Sequence, residues 1–335
     1  MRFTIKQIAA QAGVSKATVD RALHGRGSVH AQTERRIKQA IGDLEIQERT
    51  SLASGRTIPL DVILHTPERF SRLVCDALID EISHFAPFRL KLRFHCFETI
   101  STKNMRKLML RCANDSYGII LKAENNITIS NTIDELQKYH VPVVTMVTDI
   151  SNSKRLCYAG MNNNSAGKTA AYLMSEWLER SDLDVAVILS SQKFLGEKER
   201  VDAFCERLKA LSPKLRTIPI SEGYGMDVPT FDVVKTALDK HPNIKAVYCV
   251  GGGNAAIIRA FHASKRKIQV YIAHDVDQEN RQLMEQHKIN AVIENNLNYD
   301  ARVVFQTLLA FHGFVPISKQ IPLMSKVNVV TPYNM

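Results

Sequence analysis

The chain has 335 residues, with 44 Lys/Arg against 34 Asp/Glu and a formal charge of +10. Residues 1–57 hold ten of the basic and five of the acidic side chains, so half of the net charge lies in a sixth of the length. That asymmetry suits a phosphate-binding module attached to a larger body. No apolar run approaches the ~18 residues of a membrane helix, and the N-terminus lacks the pattern of an export signal. Six cysteines without C-x-x-C spacing and eleven histidines without H-E-x-x-H exclude the usual disulfide and zinc frameworks. There is no G-x-S-x-G and no P-loop. The thiols read as buried groups in a reducing cytoplasm, and neither a metal nor a cofactor is expected.

In chain order, the first signal is Thr4-Ile-Lys-Gln7, a capping box at a helix start. Ile5, Ile8, Ala9 and Ala12 follow on one helical face, and Gly13 stops the helix. Val14 plugs the turn and Ser15 caps a second helix. In it Thr18, Val19, Ala22 and Leu23 face inward, while Lys16, Ala17, Asp20 and Arg21 face outward. Two short helices around a tight turn are the build of a helix-turn-helix, whose second helix meets base edges with its N-terminal part. The plain alternative is an αα-hairpin with a solvated charged face. Asp20 favours that alternative unless it pairs with Arg21 or Lys16, or accepts from a cytosine amino group. A third helix spans about Ala31 to Leu44, with Ile37, Ala40, Ile41 and Leu44 as its apolar stripe.

The run Thr4-Ile-x-x-Ile-Ala-x-x-Ala-Gly-Val-Ser-x-x-Thr-Val-x-Arg21, followed by Gly25, Val29 and Thr33, resembles the headpiece of the LacI/GalR family of bacterial transcription regulators. The resemblance implies that Lys16, Ala17 and Arg21 read the major groove. It also implies that Thr4, Ser15, Thr18 and His24 touch the DNA backbone. The family usually has Ser where this chain has Asp20. Relatives follow the third helix with a hinge helix that wedges a Leu into the minor groove. Leu52-Ala-Ser-Gly55 resembles the end of that segment, with Leu52 as candidate wedge. The stretch before it is about three residues short and lacks the usual Pro. Residues 46–57 also read as a flexible polar linker. The domains are set at 1–46 for the headpiece, 47–57 for the hinge or linker, and 58–335 for the rest.

From Ile58 the pattern alternates between strands and helices. Strand candidates are Leu60–Leu64, Leu90–His95, Gly118–Leu121, Val141–Met146, Val185–Leu189, Arg216–Ile220, Ala246–Val250 and Val270–Ala273. Helix candidates are Arg69–His84, Ser101–Asn114, Ile133–His140 and Ala166–Glu179. Such alternation predicts doubly wound parallel sheets, and the length predicts two lobes. The resemblance implies the same: two lobes of periplasmic-binding-protein type joined by three crossings, near 160–164, near 294–296 and near Leu323. The N-lobe is set at about 58–161 plus 296–320, and the C-lobe at about 162–293 plus 321–335.

Ligands of open α/β sheets bind beyond the carboxyl ends of the strands. Asp275 ends a strand, where a carboxylate can accept from two vicinal hydroxyls; it could equally cap the next helix. Phe70 can stack on an apolar ligand face or belong to the core. By resemblance, Arg200 stands where the family grips its sugar, against a surface Arg beside acidic neighbours as the plainer reading. Asn295 stands at a crossing where many relatives carry Gln, and Asn163-Asn164 match hinge positions. Gly251-Gly-Gly-Asn254 after a strand also fits a relaxed dinucleotide fingerprint, with Asp275 at the distance of a ribose-binding acid. A nicotinamide-dependent oxidoreductase with a DNA module is therefore the rival reading. Against it, the motif lies deep in the chain and no acid–base set accompanies it. The resemblance instead makes this a sugar contact, with Asn254 as the contacting residue. The expectation is a non-enzymatic, cytoplasmic, homodimeric repressor. It would bind double-stranded DNA at a pseudo-palindromic operator and respond to a sugar, polyol or sugar acid, without a membrane partner.

Overall fold

The computed structural model describes residues 3–26, 29–53, 55–178, 183–316 and 324–335, with the side chains of 49–53 left aside. The N-terminal unit is α1 (Ile5–Ala12), α2 (Lys16–His24) and α3 (Ala31–Ala53). Both ends of the first turn are built locally. Gln7 N donates to Thr4 Oγ1 at 3.3 Å while Thr4 N donates to Gln7 Oε1 at 2.9 Å, and Gly13 closes α1 at φ +63°. Thr18 N donates to Ser15 Oγ at 3.1 Å to start α2. Ile8, Ala9, Ala12, Val19, Ile37 and Ala40 form the shared core. Arg36 Nη2 donates to Ala12 O at 2.8 Å, which ties α3 to the open carbonyl end of α1.

One expectation is corrected here. The third helix does not stop near Leu44 but runs to Ala53, through most of the segment set aside as hinge or linker. Residues 43–53 contain neither Pro nor Gly and are rich in Glu, Gln, Arg, Leu and Ala, so nothing in them ends a helix. The wedge assigned to Leu52 concerns a side chain outside the described residues.

The first sheet holds β1 (Thr57–His65), β2 (Arg89–Phe97), β3 (Ile119–Lys122), β4 (Val143–Met146), β5 (Cys157–Met161) and β11 (Met324–Ser325), in the order β2-β1-β3-β4-β5-β11, all parallel. Helices α4 (Glu68–Glu81), α5 (Thr102–Cys112), α6 (Ile127–Leu136) and α12 (Leu297–Phe311) flank it. The second sheet repeats the pattern as β7-β6-β8-β9-β10-β12. Its strands are β6 (Asp184–Ile188), β7 (Arg216–Ile220), β8 (Ile244–Cys249), β9 (Val270–His274), β10 (Ala291–Glu294) and an antiparallel β12 (Asn328–Val330). Its helices are α7 (Asn163–Trp177), α8 (Leu195–Leu211), α9 (Asp227–Lys240), α10 (Asn254–Ala263) and α11 (Gln278–Glu285). Strands β3, β4 and β6 are buried throughout, as parallel strands covered on both faces must be.

All eight strands read from the sequence are present. The helix placed at Ile133–His140 instead starts at Ile127, where Asn126 Oδ1 accepts from Ile129 N at 3.0 Å. Burial of Ile129 and Ile133 outweighs the poor helix propensity of that β-branched run. The chain passes between sheets after Met161, after Glu294 and between Ser325 and Asn328; Leu323 lies outside the described residues. Met324–Ser325, placed in the C-lobe by the sequence reading, pairs instead with Gly160–Met161 of the first sheet. A two-residue strand carries no periodic signal, so only its backbone partner reveals its side.

Asp61 is buried in the middle of β1, opposite Arg93 of β2. Burial pushes its carboxyl up, but hydrogen bonds from Arg93 and His95 outweigh this and hold it below the usual range. Asp61, His95 and Cys112 offer ligand atoms within 4.8 Å of one another, yet Arg93 already bonds both Asp61 oxygens.

Candidate functional site

Two surfaces carry chemistry. On the headpiece, Lys16, Ala17 and Arg21 are exposed along the start of α2, with Thr4, Ser15 and His24 also exposed and Thr18 half-buried. The hydroxyls of Thr4 and Ser15 serve as helix caps. Arg21 Nε donates to Ala17 O at 3.2 Å, which lays its stem along the helix and leaves the guanidinium tip free to reach outward. Asp20 does not pair with Lys16 or Arg21. It lies 3.5 Å from His24, one turn on along α2, and 3.9 Å from Arg26, just past the helix end. Its repulsion for phosphate is thereby partly offset by neighbours that phosphates attract.

The second surface is the cleft between the two sheets, about 560 Å³ when the open solvent at its mouth is included. Every lining segment follows or ends a strand: Thr66–Phe70 after β1, Lys122 on β3, Val147–Thr148 after β4, Phe194–Arg200 after β6, Val250–Gly252 after β8, and His274–Asp277 at β9. This is the crevice at the carboxyl ends of the strands, on both sides of the switch points β1/β3 and β6/β8.

Phe70, Arg200 and Asp275 meet in this cleft. Arg200 is 3% exposed. Its Nε donates to Asn163 Oδ1 at 2.8 Å, and its Nη1 lies 3.5 Å from His274 Nδ1. Burial, and then the Arg200 charge, drive the His274 imidazole far below its ordinary pKa, so it stays neutral; its Nε2 is 3.0 Å from Tyr248 Oη. The close crossing of α7 and α8 sets Arg200 in place. A Cβ on Gly167 would lie 2.2 Å from Arg200 O.

Asp275 adopts φ +62°, a conformation that costs of order 1–3 kcal/mol outside glycine. It is held there by Asn280 Nδ2, which donates to Asp275 O at 2.7 Å. Burial raises the Asp275 carboxyl above its ordinary pKa, against the lowering pull of Arg200 and of Asn295.

Asn295 does not line the cleft. It donates to Asp275 Oδ1 from Nδ2 at 2.7 Å and from its backbone N at 3.2 Å, and so positions that carboxylate. Asn254 is corrected outright. It is wholly buried behind the cleft, donating to Asn280 Oδ1 at 2.7 Å and accepting from Tyr271 Oη at 2.8 Å. Gly253, at φ +76°, starts α10 and turns Asn254 inward.

The glycines before it serve close approach, Gly252 to the other lobe and Gly251 within its own. A Cβ on Gly252 would lie 1.6 Å from Arg69 Nη2, and one on Gly251 1.9 Å from Ser190 N. Arg69 thus lies directly over Gly252, at the turn that resembles a dinucleotide fingerprint. Arg69 Nη1 continues across the cleft to Asp277 Oδ2 at 3.0 Å. On the other side of the mouth, Lys193 reaches Glu124 at 3.4 Å.

Sequence reasoning missed Arg69, Lys122, Phe194, Glu197 and Asp277. Lys122 ends β3 inside an otherwise apolar strand, Ile-Ile-Leu-Lys, and the strand-end rule could have found it. Its ammonium sits 4.4 Å from the Phe194 ring centroid and 5.7 Å from that of Phe70. Burial pulls it down to about 8, with Glu197 raising it and Arg200 lowering it further.

Residues 4–46 match the model of the bacterial regulatory proteins of the lacI family, and residues 113–311, more than half of the chain, match that of the periplasmic binding protein domain. A search of curated proteins finds no match. Among solved structures, the XylFII-LytSN complex superposes with a TM-score of 0.72 at 21% identity, over 84% of this chain and 100% of its own. GanP, a glucose-galactose binding protein from Geobacillus stearothermophilus, gives 0.72 at 19% identity, over 84% and 99%. A solute binding protein from Burkholderia graminis, in complex with D-arabinose, gives 0.71 at 18%, over 84% and 97%. At these identities the superpositions establish the fold.

A lacI-type headpiece on a periplasmic-binding-protein body defines a class: transcription regulators that bind DNA and respond to a ligand. Within that class, the chain belongs to the LacI/GalR family. Both of its domain families are non-enzymatic. Among the described residues, no helix is long and apolar enough to cross a membrane.

Proposed function

We propose that this regulator is a cytoplasmic homodimer that reads a pseudo-palindromic operator and acts as a repressor. Its operator affinity is changed by a small hydroxylated effector, of the sugar kind, held in the interlobe cleft. The observation that carries the reading is one cleft lined from both lobes by Arg200, Asp275, Phe70 and Lys122, on the same chain as an exposed Lys16–Ala17–Arg21 row. An effector that bridges the lobes favours the closed form. Whatever it changes in DNA affinity equals its own differential affinity for the two states. Asp275 accepts from ligand hydroxyls and Arg200 donates to them. Lys16, Ala17 and Arg21 face bases, while Thr4, Ser15, Thr18 and His24 face phosphates. Two-fold symmetry in the protein demands an inverted repeat in the DNA.

The test is selection of random duplex DNA by the purified protein, with sequencing of the bound pool. An enriched inverted repeat is expected and supplies the operator for effector screens. An enriched single half-site refutes the dimer. General, salt-sensitive binding without enrichment refutes sequence-specific reading by the free protein.

A further inference from the structure

The hydrogen-bonding capacity of the cleft is lopsided, and the imbalance identifies a ligand chemistry. The point rests on the reading of the cleft as the effector site. Three cations and three carboxylates line it, namely Arg69, Lys122 and Arg200 with Glu197, Asp275 and Asp277. Most of the carboxylate oxygens are already served by the protein. Glu197 accepts from Ser190 N and Ser190 Oγ, both at 2.7 Å. Asp277 accepts from Arg69 at 3.0 Å and from Asn280 N at 2.7 Å. Asp275 takes both Asn295 donors on one oxygen, which leaves the other for a ligand hydroxyl.

The two inner cations are not served in this way. Among the described residues, Lys122 Nζ has one acceptor, His65 O at 3.3 Å, of the three an ammonium can use. Arg200 Nη2 has none.

A neutral sugar needs no such arrangement. Asp275 and Arg200 alone can accept from and donate to its hydroxyls. A buried ammonium between two aromatic rings is costly to keep charged, as its depressed pKa shows. A ligand anion would return that cost through charge-assisted hydrogen bonds. Because the lining is formally neutral, a monocarboxylate adds one uncompensated charge to the cleft where a phosphate dianion would add two.

We infer that the effector is a sugar acid, a hydroxylated monocarboxylate whose carboxylate is bound by Lys122 with Arg200 while Asp275 accepts from its hydroxyls.

The test is isothermal titration calorimetry of the full chain with D-gluconate, D-galactonate, D-glucuronate and D-galacturonate, beside D-glucose, D-galactose and glucose 6-phosphate. At least one acid is expected to bind ten times more tightly than its parent aldose. Lys122→Met should weaken that acid at least thirtyfold and change the parent aldose less than threefold. Near pH 8, titrations in buffers of different ionisation enthalpy should show proton uptake with the wild type and none with K122M. The uptake follows because an anion raises a half-charged lysine. If an aldose binds more tightly than every acid, or if K122M leaves acid binding within threefold, the anion assignment falls and the effector cleft stands; if the phosphate ester binds most tightly, the monocarboxylate assignment falls. If no compound of the panel binds, both fall.

Discussion

The contact between Arg69 and Asp277 should act as a latch on the closed form. Arg69 reaches from the first turn of α4 over Gly252 to a carboxylate at the start of α11, 3.0 Å away, with Glu279 at 3.9 Å. The side chains are 26% and 8% exposed. A fully desolvated charged hydrogen bond is worth about 1.5–3 kcal/mol and an exposed ion pair about 0–1 kcal/mol, so this intermediate case should contribute about 1–2 kcal/mol. That corresponds to an open/closed ratio raised roughly 5- to 30-fold when the contact is lost. Arg69→Met removes the charge and keeps the stem. Asp277→Asn removes the charge and keeps the cap on Asn280 N, which Asn fills as well as Asp. Single-pair FRET between dyes on the exposed faces of α5 and α9 reads the ratio directly. Each variant should shift it by that factor, and R69M/D277N should shift it no more than either single change. A ratio that stays within twofold, or two additive effects, would refute the latch. Lys193–Glu124 and the bond from Asn125 N to Lys193 O at 2.8 Å remain in all three variants, so full opening is not expected.

Further outcomes follow from the same structure. Arg21→Ala should cost about 1–3 kcal/mol of operator binding and relax selectivity at particular base pairs; a uniform loss on all sequences in a competition assay would make Arg21 a phosphate contact instead. Gly167→Ala should destabilise the chain by about 1–3 kcal/mol, because its Cβ would lie 2.2 Å from Arg200 O. Gly42→Ala, with open space around it, should raise stability by about 0.5–1 kcal/mol in the same thermal melts. Lys122 supplies a pH test. Its folded pKa of about 8 lies below the free value of 10.5, so between those values the unfolded chain binds more protons and stability rises with pH. The penalty, of order 3 kcal/mol, is fully present at pH 7 and disappears toward pH 10.5. Lys122→Met should therefore melt higher than wild type at pH 7, with the gap closing as pH rises through that window; a gap independent of pH would show that the lysine is not strained by burial.

The two folds were legible in unequal ways. The headpiece is a local object. Thr4, Gln7, Gly13 and Ser15 act within three or four residues of themselves, so their order in the chain already states the capped helices. The α/β body was legible as alternation, because strands covered on both faces need long apolar runs. Four strands, β5, β10, β11 and β12, escaped, and of these β11 and β12 are only two and three residues long, too short to carry a period. The long α3 was cut short because its apolar stripe was read as ending at Leu44, although residues 43–53 contain neither Pro nor Gly to stop it.

By itself the sequence determined the capped helix-turn-helix, the basic N-terminal unit and the parallel two-sheet class, since each depends on neighbouring residues or on repeated burial. Only the tertiary structure decided the cleft. Lys122 is far in the chain from Phe194 and Arg200, and it meets them because equivalent strand ends of two sheets face each other. Asn254 and Asn295, which looked like ligand contacts, became supports because Gly253 turns the one inward and Asp275 occupies the other. Gly252 is a landing place for Arg69, a meaning that no local pattern can hold, because its partner lies some 180 residues away.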